Sequence, residues 1–291
     1  MERRRVEFSV PLECDGMNAN VFLRKHCNVS ARMITRLKRE KNGIIRDNQI
    51  LRTIDTVHFG DRVILNMPVD KNDIIAVQGK LDMLFEDENI IIIDKPYNMP
   101  VHPTKIHQTD TLANYLVYMQ KQNNECYTFR AINRLDKDTS GIVVIAKDRY
   151  TASNLFGTLN KTYFAVCEGL IFGSGTIDKP IKLLEGHTIQ RTTAEDGANA
   201  VTHYKALEHS KNHTLLEINL ETGRTHQIRC HFSSINHPLA GDDMYGGSLD
   251  FINRQALHCG SVNFIHPISK RKITVNSNLP NDIQNILHTD K

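Results

Sequence analysis

Hydrophobic and polar positions change rhythm several times along the chain. After an alternating start near Arg5, the apolar residues Met33, Ile34 and Leu37 recur at helical spacing behind Ser30. The Ser30 hydroxyl suits a helix start, because it accepts from a backbone N–H left free in the first turn. Gly43 is the expected stop. Two short β-like pieces follow, Gly43 to Leu51 and Val57 to Asn66, the second containing the turn Phe59-Gly60-Asp61. Pro68 and the polar run Asp70-Lys71-Asn72-Asp73 then break the pattern. A small domain over 1–68, a linker over 69–80 and a larger domain over 81–291 are expected.

The larger domain opens on Asn89-Ile90-Ile91-Ile92-Ile93-Asp94, an apolar run of strand length ended by Lys95-Pro96. With no polar alternation, this strand is expected to be buried on both faces. Leu112, Tyr115, Leu116 and Met119 predict a helix behind Asp110 as cap, and residues 142–146, 162–167, 201–207 and 215–220 read as strands. A second helix is expected from Thr225 to Ile235, with Ile228, Phe232 and Ile235 inward and Arg229 at the core's edge. Strands outnumber helices, and they do not alternate with them. The pattern predicts an α+β domain with a mixed, largely antiparallel sheet. No glycine-rich phosphate loop and no repeat is present, which argues against nucleotide-triphosphate and dinucleotide folds.

Composition narrows this picture. The chain has 291 residues, 40% of them hydrophobic and 24% charged, enough for a sizeable core. Its six cysteines form no CxxC pair, so neither a zinc ribbon nor a disulfide framework is expected, and the thiols read as reduced. The start Met-Glu-Arg-Arg-Arg has no apolar leader, and no run approaches the roughly 18 apolar residues of a membrane span. A cytoplasmic protein without a membrane partner is expected. Without heptads to ask for a partner helix, a monomer is the default.

The net charge of +3 matters less than its distribution. Between Arg24 and Arg46 stand eight Lys or Arg against the single acid Glu40. Arg32, Arg36, Lys38 and Arg39 fall on or just after the predicted helix, where they form either a solvated face or a phosphate-binding footprint. The Ser-capped basic helix, Gly43, the strand after it and Gly60-Asp61-Arg62-Val63 together resemble an S4 RNA-binding domain. That family usually opens with Arg-Leu-Asp, where this chain has Met17-Asn18-Ala19-Asn20.

Candidate chemistry concentrates in Arg134-Leu135-Asp136-Lys137-Asp138-Thr139-Ser140-Gly141, a polar loop leading into a core strand. A lone loop aspartate is most often a turn residue. This segment, however, resembles the signature of the RluA-type pseudouridine synthases. Asp94-Lys95-Pro96 with Val101-His102-Pro103 precedes it, and Lys161-Thr162-Tyr163 and Glu221-Thr222-Gly223-Arg224-Thr225-His226-Gln227-Ile228-Arg229 follow in that family's order. His237-Pro238, Gly241-Asp242, Arg254-Gln255-Ala256-Leu257-His258 and Phe264-Ile265-His266-Pro267 continue it, so the likeness runs from about residue 80 to 275. Asn133 stands where a histidine is common, which reads as tuning of the loop.

The resemblance implies isomerisation of specific uridines to pseudouridine in structured RNA, ribosomal RNA of the large subunit or else transfer RNA. It assigns Asp136 as the initiating carboxylate, Arg229 as its cationic partner and Tyr163 as the aromatic residue beside the base, able to take the C5 proton. Arg134 and Lys137 are implied as RNA contacts. No cofactor and no metal are implied: His226 and His231, five residues apart, lie about 500° around a helix and point apart. Two other readings remain. One is a metal hydrolase built on Asp136, Asp138, Asp242 and histidines; the other is a non-catalytic S4-type RNA-binding protein.

Overall fold

In the computed structural model, which describes residues 4–68 and 72–289, Ser30 caps the helix Ala31–Leu37 by accepting from Met33 N at 3.2 Å. Ile34 and Leu37 enter an apolar core, while Arg32, Arg36, Lys38 and Arg39 are exposed. Gly43 does not act as the helix stop. The helix ends at Leu37, Asn42 takes the left-handed conformation (φ 57), and Gly43 passes so near Leu37 that a Cβ would lie 2.0 Å from its carbonyl oxygen. Four antiparallel strands in the order Arg5–Ser9, Arg62–Asn66, Ile44–Arg46 and Gln49–Ile50 complete this N-terminal body. Its core also takes in Tyr150 from the larger body, whose hydroxyl donates to Cys27 O at 2.7 Å.

Of the expected linker, residues 69–71 lie outside the described residues, as do 1–3 and 290–291 of the flanking segments. Residues 72–80 are held against the larger body. Asn72 Nδ2 donates to Tyr127 O (3.2 Å), Asn114 Nδ2 to Ile75 O (2.8 Å), and Val77 N to Asn114 O (3.2 Å).

The isoleucine run forms the strand Ile90–Lys95, with all four isoleucines buried. It belongs to a nine-stranded sheet. Across that sheet run Ser174–Asp178, Val201–His209, His213–Leu220, Asn160–Glu168, Leu257–Ile265, Ser140–Ala146, Ile90–Lys95 and Asp82–Glu86, with Lys272–Asn276 also paired to Leu257–Ile265. Neighbours are antiparallel except Leu257–Ile265 and Ser140–Ala146, which pair in parallel, so the domain is α+β with a mixed, largely antiparallel sheet. The helix Leu112–Gln122 is capped by Thr111, not by Asp110. Thr111 and Asn114 bond reciprocally in a capping box, while Asp110 is drawn away to His107 Nδ1 at 2.6 Å. Cys14, Cys27, Cys167, Cys230 and Cys259 are buried free thiols. Among the described residues, no helix is long and apolar enough to cross a membrane.

Candidate active site

The loop carrying Asp136 is pinned before it reaches the sheet. Buried Asn133 donates from Nδ2 to Ile142 O (2.9 Å) and accepts from Val144 N (2.9 Å), stitching the loop's entry to the strand that leaves it. A neutral amide can supply donor and acceptor at once, so Asn133 alone makes both bonds. At the exit, Gly141 has φ 111, and a Cβ would sit 2.3 Å from Cys259 O in the parallel neighbour strand. Only glycine fits that approach.

From below, Lys95 holds the same loop. Its side chain is fully buried, and Nζ donates to Pro96 O (2.8 Å), Met99 O (2.9 Å) and Lys137 O (3.1 Å). Burial drags the Lys95 pKa down to about 7, although Asp138, Asp136 and Asp94 oppose the fall. Between that value and the ordinary lysine value of about 10.4, the unfolded chain binds the extra proton, so rising pH stabilises the fold. The unfolding free energy of the wild type relative to Lys95→Met is therefore expected to rise from about pH 7 to about pH 9 in urea titrations. A difference that stays flat with pH would show that Lys95 titrates normally.

Asp136 lines a small open cleft together with Arg134, Leu135, Thr139, Tyr163, Leu220, Arg224, His226, Gln227, Ile228, Arg229 and Leu257. Asp136, Tyr163, Arg229 and Arg134 are thus brought together. Lys137, although next in sequence, has an exposed side chain and contributes its carbonyl to the Lys95 anchor. Arg32, Arg36, Lys38 and Arg39 belong to the N-terminal body.

Arg229 is more buried than its expected place at the core's edge, with a side-chain exposure of 7%. The helix that carries it spans only Gln227–Ser233, shorter than expected, and His226 caps it in the left-handed conformation (φ 55). For a residue other than glycine this conformation costs roughly 1–3 kcal/mol, a strain that clusters at functional sites. Nε and Nη2 of Arg229 fork onto Asp242 at 2.7 Å each, leaving Nη1 for Asp136 Oδ2 at 3.3 Å. Burial opposes the charged form of Arg229, but the hydrogen bonds and charge of Asp242, aided by Asp136, outweigh it and raise the pKa further. The Tyr245 ring covers the guanidinium at 5.0 Å. The site therefore holds a fixed positive charge beside Asp136.

Tyr163 is buried on the strand Asn160–Glu168, beside a register shift against Leu257–Ile265, and lines the cleft. Burial, then the neighbouring Cys259 and Asp136, raises its pKa well above that of ordinary tyrosine. The phenol is neutral.

In the sequence, His226 and Asp242 stand out only as metal-ligand candidates and not as members of this cluster. His226 Nε2 stands 3.7 Å from Asp136 Oδ2, while its Nδ1 meets the Tyr245 hydroxyl at 3.1 Å; burial lowers its pKa, so the ring is neutral. Its spacing of three from Arg229 was the available signal. Asp242 has a fully buried side chain and is the fixed partner of Arg229. No local pattern could pair two residues thirteen apart across a turn. His231, by contrast, faces Thr202 Oγ1 (2.8 Å) and Lys179 O (2.9 Å), away from the cleft. Among the described residues, no group of three or more His, Cys, Asp or Glu is placed to hold a metal ion.

Comparison with known proteins adds an independent line. Residues 89–234 match the profile of a family described as RNA pseudouridylate synthase. The uncharacterized RNA pseudouridine synthase YhcT of Bacillus subtilis is 41% identical over 242 residues, covering 80% of each chain. Ribosomal large subunit pseudouridine synthase D of Xanthomonas campestris is 33% identical over 261 residues, covering 83% of this chain and 79% of its own. The solved structure of human RNA pseudouridylate synthase domain containing 1 covers 68% of this chain and 83% of its own, with a TM-score of 0.57 and 24% identity. That last likeness is one of fold.

Proposed function

The chain belongs to the RluA-type RNA pseudouridine synthases, isomerases that act on RNA, and from that premise we propose that Asp136 initiates isomerisation of specific uridines in large-subunit ribosomal RNA. The observation that carries the assignment is the geometry of one carboxylate. Asp136 is the one carboxylate among the residues lining the cleft, 3.3 Å from a guanidinium whose Nε and Nη2 are committed to Asp242.

The reaction breaks the N1–C1′ bond, turns the uracil and joins C5 to C1′; a proton leaves C5 and one ends on N1. Composition is unchanged, so no redox partner is needed. Asp136 serves this chemistry either by attacking C1′ or by removing a proton, and both routes start from an ionised carboxylate. Arg229 places a fixed positive charge 3.3 Å from that carboxylate. The buried, protonated Tyr163 suits the role of an aromatic wall for the turning base better than that of a resident phenolate. Leu220, Ile228 and Leu257 supply further apolar surface.

A base inside a stack cannot reach this cleft, so the uridine must be flipped out, at a cost of a few kcal/mol. Phosphate contacts offset that cost. Arg134 at the cleft supplies one, Lys137 another, and the exposed Arg32, Arg36, Lys38 and Arg39 of the S4-like N-terminal domain supply contacts farther along the RNA. Relatives named for the large ribosomal subunit support the choice of substrate.

The test is a pseudouridine map of all cellular RNA in a strain lacking this gene, with and without the wild-type copy restored. One or a few uridines of large-subunit ribosomal RNA are expected to lose the modification and regain it. Loss at a transfer RNA position would overturn the substrate, and loss nowhere would overturn the cellular reaction.

A further inference from the structure

The hairpin formed by Ile181–Leu183 and Arg191–Thr193 has no part in the site described so far, yet it is built into its frame. Its second strand packs along the helix Gln227–Ser233, and it docks on the turn Asp243–Tyr245. Gln190 Nε2 donates to Met244 O at 2.7 Å, and Arg191 N donates to the Tyr245 hydroxyl at 2.8 Å. That same hydroxyl meets His226 Nδ1, and His226 faces Asp136. The backbone of Arg191 is therefore fixed one side chain away from the ring that faces the carboxylate.

Arg191 is partly buried, and its side chain is treated differently from the buried arginines Arg229 and Arg254. Arg229 and Arg254 are forked onto Asp242 and Asp282. Among the described residues, Arg191 makes no side-chain hydrogen bond and no ion pair, and its Nε is buried without a partner. Unpaired buried donors are destabilising and rare, and where one persists at a functional cleft a missing ligand atom is the natural explanation. Through the Tyr245 hydroxyl, the Arg191 backbone stands next to His226, which lines the cleft.

We propose that Arg191 grips a phosphate of the RNA strand next to the target uridine, with the hairpin as its fixed support. This rests on the pseudouridine synthase reading. A guanidinium matches phosphate oxygens in a planar, two-pronged geometry, and phosphate is the anion every RNA strand presents. Arg134 and Arg224 line the cleft itself, and Arg191 adds a further positive charge behind Tyr245 and His226. That arrangement holds the anionic backbone at the rim, away from the carboxylate it would otherwise repel.

The test compares Asp136→Asn with the double variant Asp136→Asn/Arg191→Met, binding unmodified large-subunit ribosomal RNA transcribed in vitro over a series of salt concentrations. The slope of log affinity against log salt is expected to fall by roughly 0.7 to 0.9, the signature of one lost phosphate contact. Arg191→Met in the active enzyme should raise KM by about tenfold and leave kcat within about twofold. Arg191→Lys should keep the slope, and Arg191→Gln replaces the Met variant if that one misfolds. An unchanged slope overturns the proposal whatever happens to affinity, as does a fall in kcat without a rise in KM. Binding needs no turnover, so an inactive wild type would sink the isomerase reading and still leave the slope to decide on Arg191.

Discussion

Asp136→Asn is expected to lower the rate of pseudouridine formation by about 10⁴-fold or more, read as tritium released from C5 of labelled uridine in RNA. The label leaves because C5 exchanges its hydrogen for a bond to C1′. Asparagine keeps the shape and removes both the negative charge and the basic, nucleophilic oxygen, so neither attack at C1′ nor proton removal survives. The fold should be nearly indifferent. Asp136 is 31% exposed and its contact with Arg229, at 3.3 Å, is the longest of that arginine's three carboxylate bonds. The stability change should stay within about 1 kcal/mol, as for a partly solvated ion pair. RNA affinity should hold or rise, since a charge repelling phosphate is gone. Substantial tritium release by this variant would remove Asp136 from the chemistry.

The second large effect separates folding from chemistry. Arg229→Met should destabilise the protein by about 3–5 kcal/mol, because it strands the fully buried Asp242 carboxylate without its partner. Adding Asp242→Leu should restore much of that loss, since replacing both members of a buried pair by apolar groups is often neutral or better. Activity should not return with the stability. The double variant still lacks the cation beside Asp136, and its tritium release should remain at least about 100-fold below wild type, the scale of a lost electrostatic stabiliser. Recovery of both together in denaturant melts and rate assays would make Arg229 a purely structural residue.

Much of this fold follows from local pattern. Four isoleucines in a row cannot be placed at a surface, and they form the doubly buried strand Ile90–Lys95. Ser30 before Met33, Ile34 and Leu37 yields a capped helix because hydroxyl, spacing and apolar face agree. Where two local candidates competed, sequence was a poorer guide. Thr111 wins the cap from Asp110 because Asn114 reciprocates its bond, and because His107 claims the aspartate. Leu257–Ile265, in the middle of the large sheet, went unseen: His258, Ser261 and Asn263 mask its strand pattern, and neighbours on both sides bury it.

By itself, then, the sequence determined the class of fold and the residues of the reacting loop, because helix period, strand burial and motif order are properties of short stretches read in series. Which charges meet was decided only by tertiary structure. The fork of Arg229 on Asp242, the approach of His226 to Asp136, the Lys95 anchor under the loop and the unpaired Arg191 each join elements distant along the chain. Electrostatic energies depend on separation and on exclusion of water, and neither exists until the sheet has brought those elements together.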